Sequence, residues 1–131
     1  EGKISDLSIL PNMVQFRRIS TIQGDYQLSK DDLYQHHEDS IGVIGVFDRP
    51  GEWYELPLGI LTQPTITNLF AAGRIVSCLD NPAWEATRVI PVCALTGEVC
   101  GYLASYYNKN HRIDLKEIQN ILVQHGIKLH Y

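Results

Sequence analysis

Residues 68–101 constrain the fold of this chain more than any other stretch, because they combine an apolar run, a polar loop and a helix start in one order. The run 68–73 ends in Gly73, which is typical of a strand buried on both faces that stops where backbone approaches another group. Pro91 lacks an N–H group and has a fixed φ angle, and both properties suit the first turn of a helix. We therefore predict a strand over residues 68–73, a one-turn helix over 83–88 and a long helix over 91–107.

Two glycines, Gly97 and Gly101, lie inside the predicted long helix. Glycine in a helix interior costs about 1 kcal/mol relative to alanine, so a pair of them needs a reason. Their spacing of four places them on one helix face, which indicates that another group packs closely there. The start of the same helix offers unpaired N–H groups and a partial positive charge, which favour an electron-rich ligand.

Alternating and β-branched residues predict the strands of the first half of the chain. The first strand is expected over residues 14–23, where apolar side chains partly alternate with polar ones. Residues 41–48 and 53–56 are expected to form a hairpin, with the turn at residues 49–52. Residues 58–63 lie between two prolines, so we expect an irregular segment or an edge strand.

Capping residues predict two further helices. Ser29 can cap a short helix that extends to about His37, with two aspartates in its first turn. Asp114 as N-cap and Gly126 beyond the end predict an amphipathic helix over residues 114–124, whose apolar side chains recur at helical spacing.

Composition excludes several classes of partner. A chain of 131 residues fits one domain, and its net charge of −4 with 11 scattered Lys and Arg residues argues against nucleic acid. The apolar runs are far shorter than the roughly 20 residues that cross a bilayer, and no signal-peptide pattern is present, so no membrane partner is expected. Cys78, Cys93 and Cys100 lack CxxC spacing, which argues against disulfides and zinc and favours a cytoplasmic protein.

The order of features in residues 68–101 resembles the closing flavin-binding motif of FAD-dependent oxidoreductases. The resemblance is to the family related to succinate dehydrogenase and fumarate reductase flavoproteins, and it is greatest for a bacterial group of that family. The matching residues are Leu69, Ala72, Gly73, Arg74, Trp84, Glu85, Thr87, Arg88, Val89, Ile90, Pro91, Ala94, Leu95, Thr96, Gly97 and Gly101. Residues 17–19, 24–32 and 54–57 also resemble segments of the family, whereas the loop 77–83 is one residue longer than its pattern.

The resemblance implies a fold and an activity. The fold would be α/β, with the last strand and helix of a Rossmann-type FAD domain joined to a strand-rich portion of the substrate domain. Residues 1–64 would form the substrate-domain-like strands and short helix, and residues 65–131 the closing FAD-binding strand, its helix and a C-terminal helix. The chain would be one C-terminal segment of an enzyme that transfers a hydride between a small organic substrate and FAD.

The resemblance also implies the site. The residues expected to contact FAD are Ala72, Gly73, Arg74, Arg88, Ile90, Pro91, Val92 and Cys93. Arg88 and Arg17 are the candidate catalytic residues, and no metal site is predicted. The start of the long helix would hold the electron-rich O2 and N1 edge of the reduced flavin.

The motif that holds the ADP half of FAD is missing from the sequence. That half is bound by a βαβ unit with the pattern G-x-G-x-x-G. Gly42 and Gly45 have the wrong spacing and lie in the predicted hairpin. The expected partner is therefore an N-terminal Rossmann half, in the same protein or in a second one, without which we expect neither activity nor FAD binding. The alternative is a non-enzymatic interaction module that keeps the fold without cofactor and forms homo-oligomers through the exposed docking face.

The arginines also have a purely structural interpretation. Arg88 can pair with Glu85 or Asp80 on the surface instead of binding flavin or substrate. Arg17 and Arg18 are adjacent on a predicted strand, so they point to opposite faces and only one of them can line a pocket.

The histidines and aromatic residues of the first half favour structural roles. His36 and His37 are predicted to lie at a solvated helix end rather than to bind metal, because adjacent residues do not share a helix face. Trp53 and Tyr54 point to opposite faces of a strand, so one of them is expected in the core.

Overall fold

The protein is represented by a computed structural model that describes residues 20–131. Its helices and strands form a mixed α/β fold, as predicted. The elements are strands β1 (Ser40–Gly45) and β2 (Trp53–Pro57), helices α1 (Asn81–Thr87), α2 (Ile90–Asn110) and α3 (Leu115–Gln124), and 3-10 turns at Lys30–Asp32, Leu58–Ile60 and Gly73–Ile75.

Strands β1 and β2 form the predicted antiparallel hairpin. Ile44 lies opposite Tyr54 and Val43 opposite Glu55, with an irregularity in register near the start of β1. The turn closes where the Val46 N–H group donates to the Glu52 carbonyl at 2.9 Å. The side chain of Tyr54 is buried, which confirms that one of the two adjacent aromatic residues of β2 lies in the core.

Three segments outside the long helices and the hairpin, residues 22–28, 58–62 and 75–79, are joined by backbone hydrogen bonds. The Leu28 N–H donates to the Ser77 carbonyl at 3.1 Å, and the Ser77 N–H donates to the Ile60 carbonyl at 2.9 Å. We call this set of segments the backbone network. Gly24 and Gly59 permit it, because a methyl group at Gly24 would lie only 2.6 Å from the Gly59 carbonyl oxygen.

The helices begin and end where their capping residues predict. The Asp80 side chain accepts a hydrogen bond from the Ala83 N–H at the start of α1, and Asp114 caps α3 in the same way. Gly126, with φ of +83°, follows the end of α3 in the left-handed region that glycine adopts without strain. Three of the four predicted helices are thus confirmed, with α2 extending three residues further than predicted, to Asn110.

Buried apolar side chains from all five helices and strands form one core. Its members include Ile41, Ile44, Tyr54, Leu56, Ala83, Trp84, Ala86, Val92, Val99, Leu103, Ile118 and Leu122, together with Leu28, Ile60, Leu61, Val76 and Cys78 from the backbone network. The core therefore fixes the network and the N-terminal half of α2 relative to each other.

The strand predicted over residues 68–73 is wrong. Residue 68 lies in a turn and residues 69–72 belong to no helix or strand, and the single sheet of the described residues is the hairpin. Leu69 is 49% exposed, whereas only Ala71 of this run is buried. A strand buried on both faces requires flanking strands, and residues 20–131 supply none beside this run.

The helix predicted from Ser29 to about His37 is also wrong in its length. Ser29 and Asp32 form a capping box, as predicted for the start, but the helix is a single 3-10 turn that ends at Asp32. The chain leaves it because Leu33 is extended and Tyr34 takes a positive φ of 63°. The predicted strand at 14–23 lies largely outside the described residues, and its described part, residues 20–23, is not a strand.

The segment after α3, residues 127–131, runs beside the hairpin. The Val43 N–H donates to the Lys128 carbonyl at 2.9 Å, and the Ser40 hydroxyl donates to the Leu129 carbonyl at 2.6 Å. The ring of Tyr131 stacks on Trp53, with centroids 4.8 Å apart. The segment thereby covers one edge of the sheet.

No single helix among the described residues has both the length and the apolar composition of a membrane span. Helices α1 and α2 have the length and apolar composition of a span only when they are taken together. The chain bends by 78° between the two helices.

Gly24→Ala should lower the free energy of unfolding by about 1–3 kcal/mol, because the added methyl group meets backbone atoms of the network that cannot move independently. Urea unfolding followed by circular dichroism measures the loss. Gly45→Ala is the matched control: its methyl group would lie 3.9 Å from the nearest atom, and we expect a change within about 0.5 kcal/mol. Equal effects of the two substitutions would contradict the close approach at Gly24.

Candidate functional site

The 3-10 turn Gly73–Ile75 packs against the first turns of α2. The Gly73 N–H donates to the Thr96 hydroxyl at 2.9 Å. A methyl group at Gly73 would lie 3.6 Å from the Cys93 sulfur, and the φ angle of Gly73 is +71°, which favours glycine. Gly73 and Cys93, predicted to share the site, are therefore brought together.

Thr96 is the residue that joins the turn to the helix. It is fully buried, and its hydroxyl donates within α2 to the Val92 carbonyl at 2.8 Å while it accepts from Gly73. The sequence placed Thr96 among the matching residues without a role. The hydroxyl of Thr96 on an otherwise apolar helix face indicates a polar contact. The sequence does not show that its donor is Gly73, because this depends on where the turn lies.

Trp84 positions both arginines of the predicted site. Its indole N–H donates to the Arg74 carbonyl at 3.0 Å, and the Arg88 guanidinium lies over its ring, 5.1 Å from the centroid. The side chain is almost completely buried between α1 and the turn. One rigid ring therefore connects the backbone at Arg74 with the side chain of Arg88, a cation–π arrangement.

Arg88 carries a polar group without a protein partner. Its Nε atom is buried and has no hydrogen-bond partner among the described residues. The surface pairing considered for Arg88 is not observed in residues 20–131, since Asp80 instead accepts from the N–H groups of Ala83 and Lys30. A buried N–H group without a partner costs about 1–3 kcal/mol, so an acceptor that reached this donor would stabilise the protein.

The start of α2 is open. Val89 is its N-cap and provides no side-chain hydrogen bond, so the first N–H groups of this 21-residue helix have no cap. Ile90 is 85% exposed beside them, whereas the side chain of Val92 is buried in the core. Of the predicted contact residues, Val92 can therefore offer only its backbone.

Small residues line one exposed face of α2. Methyl groups added at Gly97 or Gly101 would meet no atom within 4 Å. Ala94 and Ala104 lie on the same face and are exposed. We call these four residues the small-residue face. Close packing on this face stays a prediction, because none of the described residues packs there.

Cys78, Cys93 and Cys100 are not joined in disulfides. The Cys100 sulfur lies 3.5 Å from the Ala71 carbonyl, and burial raises the pKa of its thiol to about 11. A thiol with so high a pKa is a poor nucleophile at neutral pH, so Cys100 packs residues 70–72 onto α2 rather than taking part in chemistry.

A cleft of about 450 Å³ lies on another side of the molecule. It is lined by residues of the backbone network and of the end of α2, including Asp25, Thr62, Ile66, Tyr107 and Arg112. None of the predicted cofactor residues lines it. We base the candidate site on the start of α2, where the unpartnered donors are, rather than on the size of this cleft.

Comparison with protein families agrees with the resemblance read from the motif. The sequence profile of the family described as FAD dependent oxidoreductase matches residues 5–122. The chain belongs to the FAD-dependent oxidoreductase family. The match includes every predicted site residue of this oxidoreductase chain, among them Arg17, which lies outside the described residues. No curated protein and no solved structure matches the chain significantly.

The donors at the start of α2 fit the cofactor of an FAD-dependent oxidoreductase. A flavin ring has an electron-rich edge that accepts hydrogen bonds and an apolar face. The uncapped N–H groups of α2 and the unpartnered Arg88 Nε provide donors, and the exposed Ile90 provides an apolar surface beside them. These are the kinds of group that a flavin ring can contact, and Gly73, Arg74 and Arg88 lie in the same cluster.

Thr96→Val should lower the free energy of unfolding by about 1–3 kcal/mol, because it leaves the Gly73 N–H without its acceptor while the volume is kept. Amide exchange of Gly73, measured by NMR, should become faster. Thr96→Ser keeps the hydroxyl and should lose only about 1 kcal/mol for the missing methyl group, with slow exchange retained. Unchanged Gly73 exchange in Thr96→Val would contradict the role given to this hydrogen bond.

Proposed function

We propose that this chain supplies the flavin-ring side of the FAD site of an oxidoreductase, while an N-terminal Rossmann half supplies the site for the ADP moiety. The observation that carries the proposal is the open start of α2, where uncapped N–H groups lie beside the Gly73–Ile75 turn and the unpartnered Arg88 Nε. Membership of the FAD-dependent oxidoreductase family supports the identity of the ligand.

The first turn of α2 would bind the electron-rich edge of the flavin. Its N–H groups and the partial positive charge of the helix start stabilise negative charge there, and the stabilisation is larger where water is excluded. Ile90, which is 85% exposed, would cover the apolar part of the ring. When bound, FAD takes up a hydride from an organic substrate in this family's chemistry.

Arg88 would orient a carboxylate or another acceptor at the same place. Its guanidinium is already held over Trp84, so little side-chain entropy is lost when a ligand accepts a hydrogen bond from Nε. Arg17 remains the second candidate for substrate binding, on the resemblance alone, and lies outside the described residues.

The small-residue face would contact the Rossmann half. Glycine and alanine allow another backbone to approach α2 closely, and the cost of about 1 kcal/mol for each helical glycine is then offset in the assembled site. Residues 69–72, which belong to no helix or strand in the described part of the chain, would join the sheet of that half as the closing Rossmann strand. The relation to succinate dehydrogenase and fumarate reductase flavoproteins, the bacterial source and the cytoplasmic location belong to the same proposal and rest on the resemblance.

Flavin fluorescence quenching tests the proposal, with the purified chain alone and with the Rossmann half added in trans. We expect FAD binding only in the presence of both, and a loss of at least about tenfold in affinity for Arg88→Ala, since a charged hydrogen bond contributes about 1.5–3 kcal/mol. Arg112→Ala, at a guanidinium whose side chain is 68% exposed, is the matched control and should bind normally.

Two other outcomes would change the proposal. Tight FAD binding by the chain alone would mean that the site is not divided in this way. Absence of binding under both conditions would favour the non-enzymatic interaction module, whose docking surface would be the same small-residue face.

Gly97→Ala should raise the stability of the chain alone by about 0.5–1 kcal/mol, because the helix gains propensity and the methyl group meets no atom. Gly97→Leu should leave the chain folded but weaken its association with the Rossmann half, as measured by calorimetry. Asn120→Ala, on the exposed side of α3, is the control and should leave association unchanged. Normal association of Gly97→Leu would show that the small-residue face is not the contact surface.

A further inference from the structure

Three groups that can ligate a metal meet at the edge of the hairpin. They are His36 in the loop before β1, Glu55 in β2 and His130 in the segment after α3, and their ligand atoms lie within 4.8 Å of one another. The Nδ1 atom of His36 is 3.2 Å from the Glu55 Oε2 atom, and the Nδ1 atom of His130 is 2.9 Å from the same oxygen. We call these residues the His-Glu-His cluster.

The cluster was missed because its members are far apart in sequence. The prediction of a solvated helix end at His36 and His37 is wrong, because the helix stops at Asp32. Only 13% of the His37 side chain is exposed, and its ring lies 3.5 Å from the Asp32 carboxylate. His36 instead faces Glu55, so the two adjacent rings point to different carboxylates.

Hydrogen bonds hold the three ligands in place without any metal. The His37 N–H donates to Glu55 Oε2 at 2.8 Å, and the Tyr131 N–H donates to Glu55 Oε1 at 3.2 Å. The stacking of Tyr131 on Trp53 fixes the backbone next to His130. Such preorganisation is what a metal site requires of its supporting residues.

The Glu55 Oε2 atom faces more donors than it can accept. It lies within 3.2 Å of the His37 N–H and of both imidazole Nδ1 atoms. A carboxylate oxygen has about two lone-pair positions, so one imidazole nitrogen at a time has no good acceptor there. An unprotonated nitrogen pointing at a carboxylate oxygen is the arrangement that a cation between them would stabilise.

We propose that His36, Glu55 and His130 bind one divalent transition-metal ion of the zinc class. Zinc binds imidazole nitrogen at about 2.0–2.1 Å and carboxylate oxygen at about 2.0–2.2 Å, so tetrahedral ligand atoms lie roughly 3.3–3.5 Å apart. The nitrogen-to-oxygen distances in the cluster, 3.2 and 2.9 Å, are within a few tenths of an ångström of that value.

Burial and charge of the cluster fit such an ion. The Glu55 side chain is 2% exposed and lies at the base, while those of His36 and His130 are 55% and 40% exposed and lie at the rim. The fourth position therefore faces solvent and is open to water. The His36 Nε2 atom lies 3.5 Å from the Glu38 carboxylate, the kind of outer partner that orients a ligating imidazole.

Bound metal would link three distant parts of the chain. The ligands come from the loop before β1, from β2 and from the segment after α3, so the ion closes long loops in the folded state. Because the unfolded chain does not present the three groups together, the ion stabilises the folded protein by mass action. The proposed ligands are separate from the start of α2, so this site does not depend on FAD binding.

Isothermal titration of the EDTA-treated chain with ZnCl₂ tests the site, and Co²⁺ absorption reports its geometry. We expect one ion per chain, a tetrahedral cobalt spectrum and a rise in the thermal midpoint with zinc. Altering an outer partner of a metal ligand typically costs about 10–100-fold in affinity, so His36→Ala and His130→Ala should each cost at least about tenfold. His125→Ala, at a histidine whose ring contacts Tyr102 instead, should bind zinc normally.

His36→Ala should not unfold the chain, because the His36 side chain is 55% exposed, and circular dichroism verifies the fold. If the unaltered chain does not bind zinc, the proposal is overturned and the cluster is a set of hydrogen-bonded pairs. Binding that persists in the His36→Ala, His130→Ala double variant would place the ion elsewhere and would overturn it equally.

Discussion

The candidate site depends on the close backbone contact between residues 22–28, 58–62 and 75–79. Gly24 and Gly59 allow this contact, and the hydrogen bonds of Leu28 and Ser77 hold it. The network holds the chain where it leaves the Gly73–Ile75 turn, and the turn in this position lets the Gly73 N–H meet Thr96 on α2. A displacement of the network would separate the turn from the start of α2, because the hydrogen bond from Gly73 to Thr96 would break.

Two polar clusters in this structure each leave a polar group without a good partner. At the start of α2 donors exceed acceptors, because the helix is uncapped and the Arg88 Nε atom has no partner among the described residues. At the hairpin edge, the Glu55 Oε2 atom faces one backbone N–H group and two imidazole nitrogens. Buried polar groups are normally satisfied, so each imbalance marks a place where an additional group can bind. The first suits an electron-rich ligand and the second suits a cation.

Membership of the FAD-dependent oxidoreductase family and the exposed surfaces of the chain are consistent with a divided site. The family profile covers residues 5–122, yet no G-x-G-x-x-G pattern occurs in the sequence. Gly97 and Gly101 have open space around them, although glycine weakens a helix. Residues 69–72 are apolar but belong to no strand in the described part of the chain. All three features have a common physical explanation if the proposed Rossmann half packs against the small-residue face of α2.

The sequence by itself determined the elements that local interactions decide. Pro91 and Asp114 mark helix starts through their own side chains, and the hairpin follows from its turn, so these elements were predicted correctly. The family and its candidate residues also followed from the order of a few short motifs. The strand at 68–73 was wrong because strand formation depends on neighbouring strands, and these are not set by the segment itself.

Only the tertiary structure decided which polar groups meet. Thr96 accepts from Gly73, Trp84 holds Arg88, and Glu55 joins His36 to His130. Each contact connects residues whose own helix or strand would form without it, so no periodicity or capping pattern records it. The direction of the connecting loops and the packing of the core bring these side chains together, and both depend on the whole chain rather than on any local segment.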